Sequence, residues 1–287
     1  MLQNYGKLCL DSLLKIEPAF LPSGRQRNPE AGKVLEIFLY TFAFLAGFID
    51  SVAGGGGLIQ LPALLIFLPQ APVAHLLGTN KLASIAGTSI AVVQYARHVG
   101  INWRATLPAT ISSFVLSFLG ARTATILNTG VMRIVVLVLL VAIALFTFIR
   151  KDFGAVHAPK LTHGMQFIIS SASGMTIGFY DGFFGPGTGS FLIFVFVGIF
   201  GFNFLSASAS AKLINFATNL SAMLYFAFTN NILYNLAIPM ALFNILGSLA
   251  GTRLAILKGS RFVRIVFLFV VAGMILKLAH DTIMSPY

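Results

Sequence analysis

Apolar residues fill most of the chain in long blocks, separated by short polar or glycine-rich stretches. The blocks lie at 35–53, 57–69, 82–97, 105–124, 131–149, 165–183, 189–205, 211–229, 235–255 and 262–280. A helix needs about 20 residues to cross the roughly 30 Å hydrocarbon core of a bilayer, and several blocks approach or reach that length. The pattern predicts an all-α polytopic membrane protein.

Two blocks, 57–69 and 189–205, are short, and each adjoins a glycine-rich stretch, "AGGGGL" or "FGPGTGS". Glycine adopts backbone angles that other residues avoid, and proline removes a backbone donor. These stretches are therefore expected to break the helices, giving glycine-broken helices or re-entrant hairpins near the membrane midplane. Tilted short spans are the alternative.

Composition agrees with a membrane protein. Hydrophobic residues make up 57% of the 287 positions and charged residues only 9%, against about a quarter charged in soluble proteins. The net charge of +11 is explained by Lys and Arg retained on the cytoplasmic side and by contact with anionic lipid headgroups. No nucleic-acid partner is therefore expected. The lone Cys9 excludes an intramolecular disulfide.

The two halves of the chain match at a constant offset of 131 residues. The matched pairs include Gly47 and Gly178, Asp50 and Asp181, Gly54 and Gly185, Gly56 and Gly187, Lys81 and Lys212, Pro108 and Pro239, Gly120 and Gly251, Arg122 and Arg253, and Arg133 and Arg264. Such agreement indicates a duplication, which is typical of transporters. The expected domains are a polar N-terminal arm (1–33), a first membrane repeat (34–153), a connecting loop (154–164) and a second membrane repeat (165–287), with about four to five membrane segments in each repeat.

The basic residues indicate that the two repeats are inverted. In the first half they concentrate after the second and fourth segments, whereas in the second half they concentrate between the third and fourth. If positive loops are cytoplasmic, equivalent loops face opposite sides of the membrane. A parallel duplication is the alternative.

Four charged residues lie well inside the apolar segments: Asp50, Lys81 and their counterparts Asp181 and Lys212. Buried charges in a membrane are costly, so they usually face a polar cavity or one another. A helix that restarts after a glycine break presents free N–H groups, which suit an oxyanion. The predicted substrate-binding residues are Gly54, Gly55, Gly56, Gly57, Asn80, Lys81, Gly185, Gly187, Thr188, Gly189, Lys212 and Asn215.

Structural roles for the same residues are the alternative. Asp50 and Asp181 are expected either to couple transport or to hold the helix breaks in place. In this alternative, Asp50–Lys81 and Asp181–Lys212 serve only as structural ion pairs, and the glycines only allow close helix packing.

Catalytic and cofactor motifs are missing from the sequence. It contains no HExxH, GxSxG or P-loop motif, and its five histidines lack ligand spacing. An enzyme, a metal site and a cofactor are therefore not expected. If ATP drives the protein, a separate subunit has to hydrolyse it.

The paired motifs also resemble those of a known family. "GFIDSVAGGGGLIQLPAL" followed by "GTNKLAS", and "GFYDGFFGPGTGSFL" followed by "AKLINFATNL", are similar to the TauE/SafE sulfite exporter family, closest to its YfcA-like members, over roughly residues 36–280. The resemblance implies a multi-pass permease of the bacterial inner membrane for small anions such as sulfite or organosulfonates.

Other functions stay open at this point. One is a cation- or proton-coupled carrier of another small solute that uses Asp50 and Asp181. A membrane-embedded assembly factor or enzyme is a further alternative. The expected partners are a small anionic substrate and membrane lipid, and a homo-oligomer is left open.

Overall fold

The computed structural model describes residues 29–127 and 161–284, and the regular elements in these ranges are all helices. They are α1 (Pro29–Ala53), α2 (Gly57–Phe67), α3 (Val73–His98), α4 (Trp103–Ile126), α5 (His163–Phe183), α6 (Thr188–Gly198), α7 (Phe204–Phe228) and α8 (Tyr234–Met284). Helix α8 is interrupted at Gly259, whose φ of 68° is not helical. The predicted segment 131–149 and most of the predicted arm and connecting loop lie outside the described residues.

Within the described ranges, four helical stretches are long and apolar enough to cross a membrane: Leu35–Ala53, Val73–His98, Trp103–Ile126 and Tyr234–Gly259. The apolar helices α2 and α6 have 11 residues each, so each is about 16 Å long at 1.5 Å per residue. That is about half of the hydrocarbon core. The described fold is that of a polytopic helical membrane protein.

Two helix boundaries differ from the sequence prediction. The predicted block 189–205 contains a chain reversal, because α6 ends at Gly198, Gly201 has a φ of 76°, and Asn203 caps α7 by accepting a hydrogen bond from the Ser206 N–H. Helix α3 begins at Val73 instead of residue 82. Its early polar residues lower the local hydropathy but are buried inside the protein, as Thr79 and Asn80 show.

Small residues bring α4 and α5 into close parallel contact. Gly174, Gly178 and Gly182 of α5 face Ala109, Ser113 and Ser117 of α4, respectively. The residue numbers rise together in the two helices, so the helices run in the same direction. A Cβ atom at any of these glycines would overlap the backbone of α4. Small residues at this spacing allow membrane helices to approach closely.

Helices α1 and α8 pack in the same way. Gly47 of α1 contacts the backbone of Asn244, while Gly247 and Gly251 of α8 contact the backbone of Phe44 and Phe48, respectively. The order of these contacts again makes the two helices parallel. In both pairs, the first helix of one half of the chain packs against the fourth helix of the other half.

Helices α3 and α7 run antiparallel to each other. Gly78, near the start of α3, lies against Phe226 near the end of α7, where a Cβ on Gly78 would be 2.9 Å from the Phe226 Cβ. Tyr95, near the end of α3, lies beside Ser208 near the start of α7. This antiparallel pair carries Lys81 and Lys212.

Serine hydroxyl groups join α7 to α4 and α3 to α8. Ser117 of α4 donates to the Thr218 carbonyl of α7 at 2.9 Å, and Ser248 of α8 donates to the Gly87 carbonyl of α3 at 2.7 Å. The two bonds are related by the repeat, because Ser117 and Ser248 are 131 positions apart, and so are Gly87 and Thr218.

Candidate functional site

Five helices surround a polar cavity, together with the glycine-rich links between α1 and α2 (54–56) and between α5 and α6 (184–187). Its lining comprises Asp50, Gly54, Gly57, Asn80, Lys81, Ser84, Asp181, Gly185, Gly187, Asn215 and Asn219. The cavity is small, at about 20 Å³, which is room for about one water molecule. Both halves of the chain therefore contribute to one site.

Two buried ion pairs cross between the halves at this site. Lys81 Nζ lies 2.8 Å from Asp181 Oδ2, and Lys212 Nζ donates a hydrogen bond to Asp50 Oδ2 at 2.9 Å. The sequence had suggested partners within each half, and that pairing was wrong. Removing one member of a buried pair typically costs 3–5 kcal/mol, roughly, because the other charge is left uncompensated. The crossed pairs therefore tie the two halves together.

Each lysine occupies the same position in its helix. Lys81 lies eight residues after the first residue of α3, and Lys212 lies eight residues after the first residue of α7. Residues one helical turn further on share the same face. This spacing places Ser84 beside Lys81, and Asn215 beside Lys212.

The two links between helices touch each other through their backbones. The Ser190 N–H donates to the Gly54 carbonyl at 3.2 Å, and the Ser190 hydroxyl donates to the Ala53 carbonyl at 3.0 Å. A Cβ on Gly54 would lie 2.6 Å from the Gly189 Cα. Only glycine at these positions allows the links to pass so closely.

Both short helices begin beside the cavity. Helix α2 starts at Gly57, and α6 starts just after Gly187, which has a left-handed φ of 84°. Both glycines line the cavity. The first N–H groups of a helix lack intrahelical acceptors and carry the positive end of its dipole. Several of these N–H groups already donate to backbone carbonyls, as Leu58 does to Gly55 and Thr188 to Gly185. The positive ends of the two helix dipoles are therefore what makes the site favourable for negative charge.

The predicted site residues fall into two groups. Gly54, Gly57, Asn80, Lys81, Gly185, Gly187 and Asn215 line the cavity, together with Asp50 and Asp181. Gly55, Gly56, Thr188, Gly189 and Lys212 are absent from its lining.

The second group has other contacts. The Gly55 carbonyl accepts a hydrogen bond from Leu58, and a Cβ on Gly56 would lie 2.6 Å from the Asp50 Cβ. The Thr188 hydroxyl donates to the Gly185 carbonyl at 2.7 Å. Gly189 meets Gly54, and the fully buried Lys212 meets Asp50.

Two lining residues, Ser84 and Asn219, were not in the predicted set. Ser84 lies 131 positions before Asn215 and one turn after Lys81. Asn219 follows Asn215 by one turn on the same helical face. The repeat offset combined with helical spacing would have identified both residues.

A multi-pass helical bundle with opposite charges buried around a polar cavity is typical of membrane transporters. The sequence profile described as "Sulfite exporter TauE/SafE" matches residues 39–278. The chain therefore belongs to this family.

Similar curated proteins agree with this assignment. The chain is 38% identical to "Probable membrane transporter protein ORF9" of a Sinorhizobium species, over 85% of this chain and 92% of that protein. It is 34% identical to "Probable membrane transporter protein YfcA" of Escherichia coli K12, over 85% and 89% of the two chains. A "Probable membrane transporter protein" of Haemophilus influenzae is also 34% identical, over 88% and 97%. No solved structure matches the chain significantly.

The family and these relatives are membrane transporters and not enzymes. The chain is accordingly a membrane permease, and the cavity between its helices is the candidate site.

Proposed function

We propose that the chain is a secondary permease of the bacterial inner membrane for a small anion, a sulfur-containing oxyanion such as sulfite or an organosulfonate. The observation that carries this proposal is the position of Lys81. Lys81 lines the cavity together with Gly57 and Gly187, which lie at the starts of α2 and α6. A small oxyanion is attracted by the lysine ammonium and by the positive ends of both helix dipoles at once.

The ammonium of Lys81 is less completely engaged by its partner than that of a buried lysine with a well-aligned hydrogen bond, and is therefore more available to a substrate. Its ion pair with Asp181 is short but lacks hydrogen-bond alignment at Asp181 Oδ2. A Cβ on Gly185 would be only 2.9 Å from Lys81 Nζ, so the absence of a side chain there leaves room for the ammonium. An incoming oxyanion can share the ammonium with Asp181.

The size of the cavity affects how a substrate can enter it. A volume of about 20 Å³ holds about one water molecule, which is less than an oxyanion needs. We expect the lining to separate as the substrate enters, and three members of the crossed ion pairs, Asp50, Lys81 and Asp181, lie in that lining.

We further infer that the permease consists of two inverted repeats. Three helices of each half begin 131 positions from their counterparts: α2 and α6, α3 and α7, and α4 and α8. The antiparallel packing of α3 with α7 supports opposite orientations for the two halves. Inverted repeats with a site near the midplane are common in secondary transporters.

Side-specific labelling tests the inversion. Single cysteines at Arg104 and Asn235, the exposed second residues of α4 and α8, are introduced into a Cys9→Ser background. An impermeant thiol reagent is expected to reach them from opposite sides of the membrane. Labelling of both from one side would refute inversion and leave a parallel duplication.

Anion flux tests the function itself. The purified protein in liposomes is given labelled sulfite, sulfate, thiosulfate and methanesulfonate in separate assays. We expect uptake of at least one sulfur oxyanion above protein-free liposomes, and a loss of about tenfold or more in Lys81→Met, equivalent to roughly 1.4 kcal/mol.

Lys258→Met is the matched control because Lys258 is exposed on α8. This variant is expected to transport like the wild type. No uptake of any of the four anions would contradict the proposal, and normal uptake by folded Lys81→Met would exclude this cavity as the path.

A further inference from the structure

The two crossed ion pairs have different access to the cavity. The side chain of Asp50 is 17% exposed and that of its partner Lys212 is 0% exposed, whereas Lys81 and Asp181 are 2% exposed each. Asp50 lines the cavity and Lys212 does not. Asp50 therefore lies between the cavity and Lys212, and is the more accessible of the two carboxylates.

Charge balance limits what the site can accept. The charged groups at the cavity are two carboxylates and two ammoniums, counting Lys212 behind Asp50. Their charges cancel. An incoming anion adds one uncompensated negative charge to a buried place, which is unfavourable. Protonation of one carboxylate removes that excess.

A proton suits this site better than a metal cation. Metal cations such as Ca²⁺ and Mg²⁺ require several oxygen ligands, whereas the two carboxylates at the cavity are already paired with lysines. The ammoniums of Lys81 and Lys212 also lie beside the two carboxylates and repel a cation. A proton adds no volume.

Few charged or titratable groups of the described residues lie around Asp50. Lys212 of α7 contacts it directly, and Lys81 of α3 and Asp181 of α5 share its cavity. Tyr95 of α3 donates to the neighbouring Ser51 carbonyl at 3.0 Å. Helices α2 and α6 carry no ionisable side chain, and Arg253 and Lys258 of α8 are exposed.

We propose that Asp50 is the proton-binding site that couples anion transport to the proton gradient, while Asp181 stays ionised beside Lys81. This proposal rests on the anion permease function above. The proton comes from bulk water on one side, binds a carboxylate oxygen of Asp50 as the anion enters, and returns to bulk water on the other side. The repeat-related aspartates thus have separate roles.

The test measures labelled sulfite uptake into proteoliposomes with and without a pH gradient that is acidic outside. Wild type, Asp50→Asn, Asp50→Glu and Asp181→Asn are compared after their folding has been checked by size-exclusion chromatography. Protonation of sulfite in solution is the same for every variant, so differences between variants report the protein.

A gradient of one pH unit is expected to raise steady-state accumulation by up to about tenfold for one coupled proton. Asp50→Asn should lose this stimulation, and Asp50→Glu should restore it because the carboxyl is still titratable. Asp181→Asn should transport more slowly but keep the stimulation. Stimulation that persists in Asp50→Asn, or that is lost equally in Asp181→Asn, would overturn the proposal.

The wild-type protein provides a second readout if Asp50→Asn does not fold. We expect sulfite uptake to respond to the pH gradient and not to a sodium gradient. Stimulation by sodium alone, or by membrane potential alone, would refute Asp50 as a proton site while leaving the permease function intact. If the protein takes up another of the four anions but not sulfite, the same assay is run with that anion. If it takes up none of them, the result contradicts the permease function itself.

Discussion

The two glycine-rich links match in sequence but use their glycines for different physical reasons. Gly56 precedes α2 with an ordinary helical φ of −57°, whereas its counterpart Gly187 precedes α6 with a left-handed φ of 84°. Gly56 is constrained by its neighbours, since a Cβ there would lie 2.6 Å from the Asp50 Cβ. Gly187 is constrained by its own backbone.

In the other matched pair of link glycines, Gly54 and Gly185, backbone conformation and close neighbours both require glycine. Gly54 and Gly185 both have a positive φ, of 78° and 98°. Gly54 also contacts the backbone of Gly189 in the other link, whereas Gly185 makes room for the Lys81 ammonium. The duplicated sequence thus has glycine at both positions, but the reasons differ. In the first half the glycine lets the two links cross closely, and in the second half it leaves room for a charged side chain.

The largest effect is expected at Gly54. Gly54→Ala places a methyl group against the Gly189 backbone and forces alanine into a left-handed conformation, for a combined cost of more than about 2 kcal/mol. The free energy of unfolding in detergent and sulfite uptake should both fall sharply. Gly164→Ala is the control, since nothing lies within 4 Å of a Cβ there. A Gly54→Ala protein as stable as this control would contradict the close crossing.

A smaller effect on stability is expected to distinguish substitutions at Gly187 from the same substitutions at Gly56. Alanine in a left-handed conformation costs about 1–2 kcal/mol, and asparagine tolerates that conformation better. Gly187→Asn should therefore be more stable than Gly187→Ala. At Gly56 the order should reverse, because the larger side chain adds to the clash with α1. Thermal unfolding of the four purified variants measures both orders, and the same order at both positions would refute the distinction.

The sequence allowed the membrane class and the family to be predicted, because long apolar blocks and paired motifs are local signals. Both predictions are confirmed by the family match. Most of the cavity lining was also among the predicted residues, since charges and glycines in apolar sequence are conspicuous.

Other features depend on tertiary structure and were beyond the sequence pattern. The ion pairs join α1 to α7 and α5 to α3 across the two halves, which no spacing within one half reveals. The early start of α3 was missed because its polar residues are buried by other helices and not by lipid. Ser84 is different, because the repeat offset and helical spacing would have identified it; a single serine in a helix is otherwise unremarkable.

The crossed pairing is tested most directly by two double-mutant cycles on the free energy of unfolding in detergent. Lys81→Met is combined with Asp181→Asn in one cycle and with Asp50→Asn in the other. Residues in direct contact show coupling energies of about 0.5–3 kcal/mol. We predict a coupling in this range for Lys81 with Asp181 and a clearly smaller one for Lys81 with Asp50. A larger coupling between Lys81 and Asp50 would contradict the crossed arrangement of the two halves.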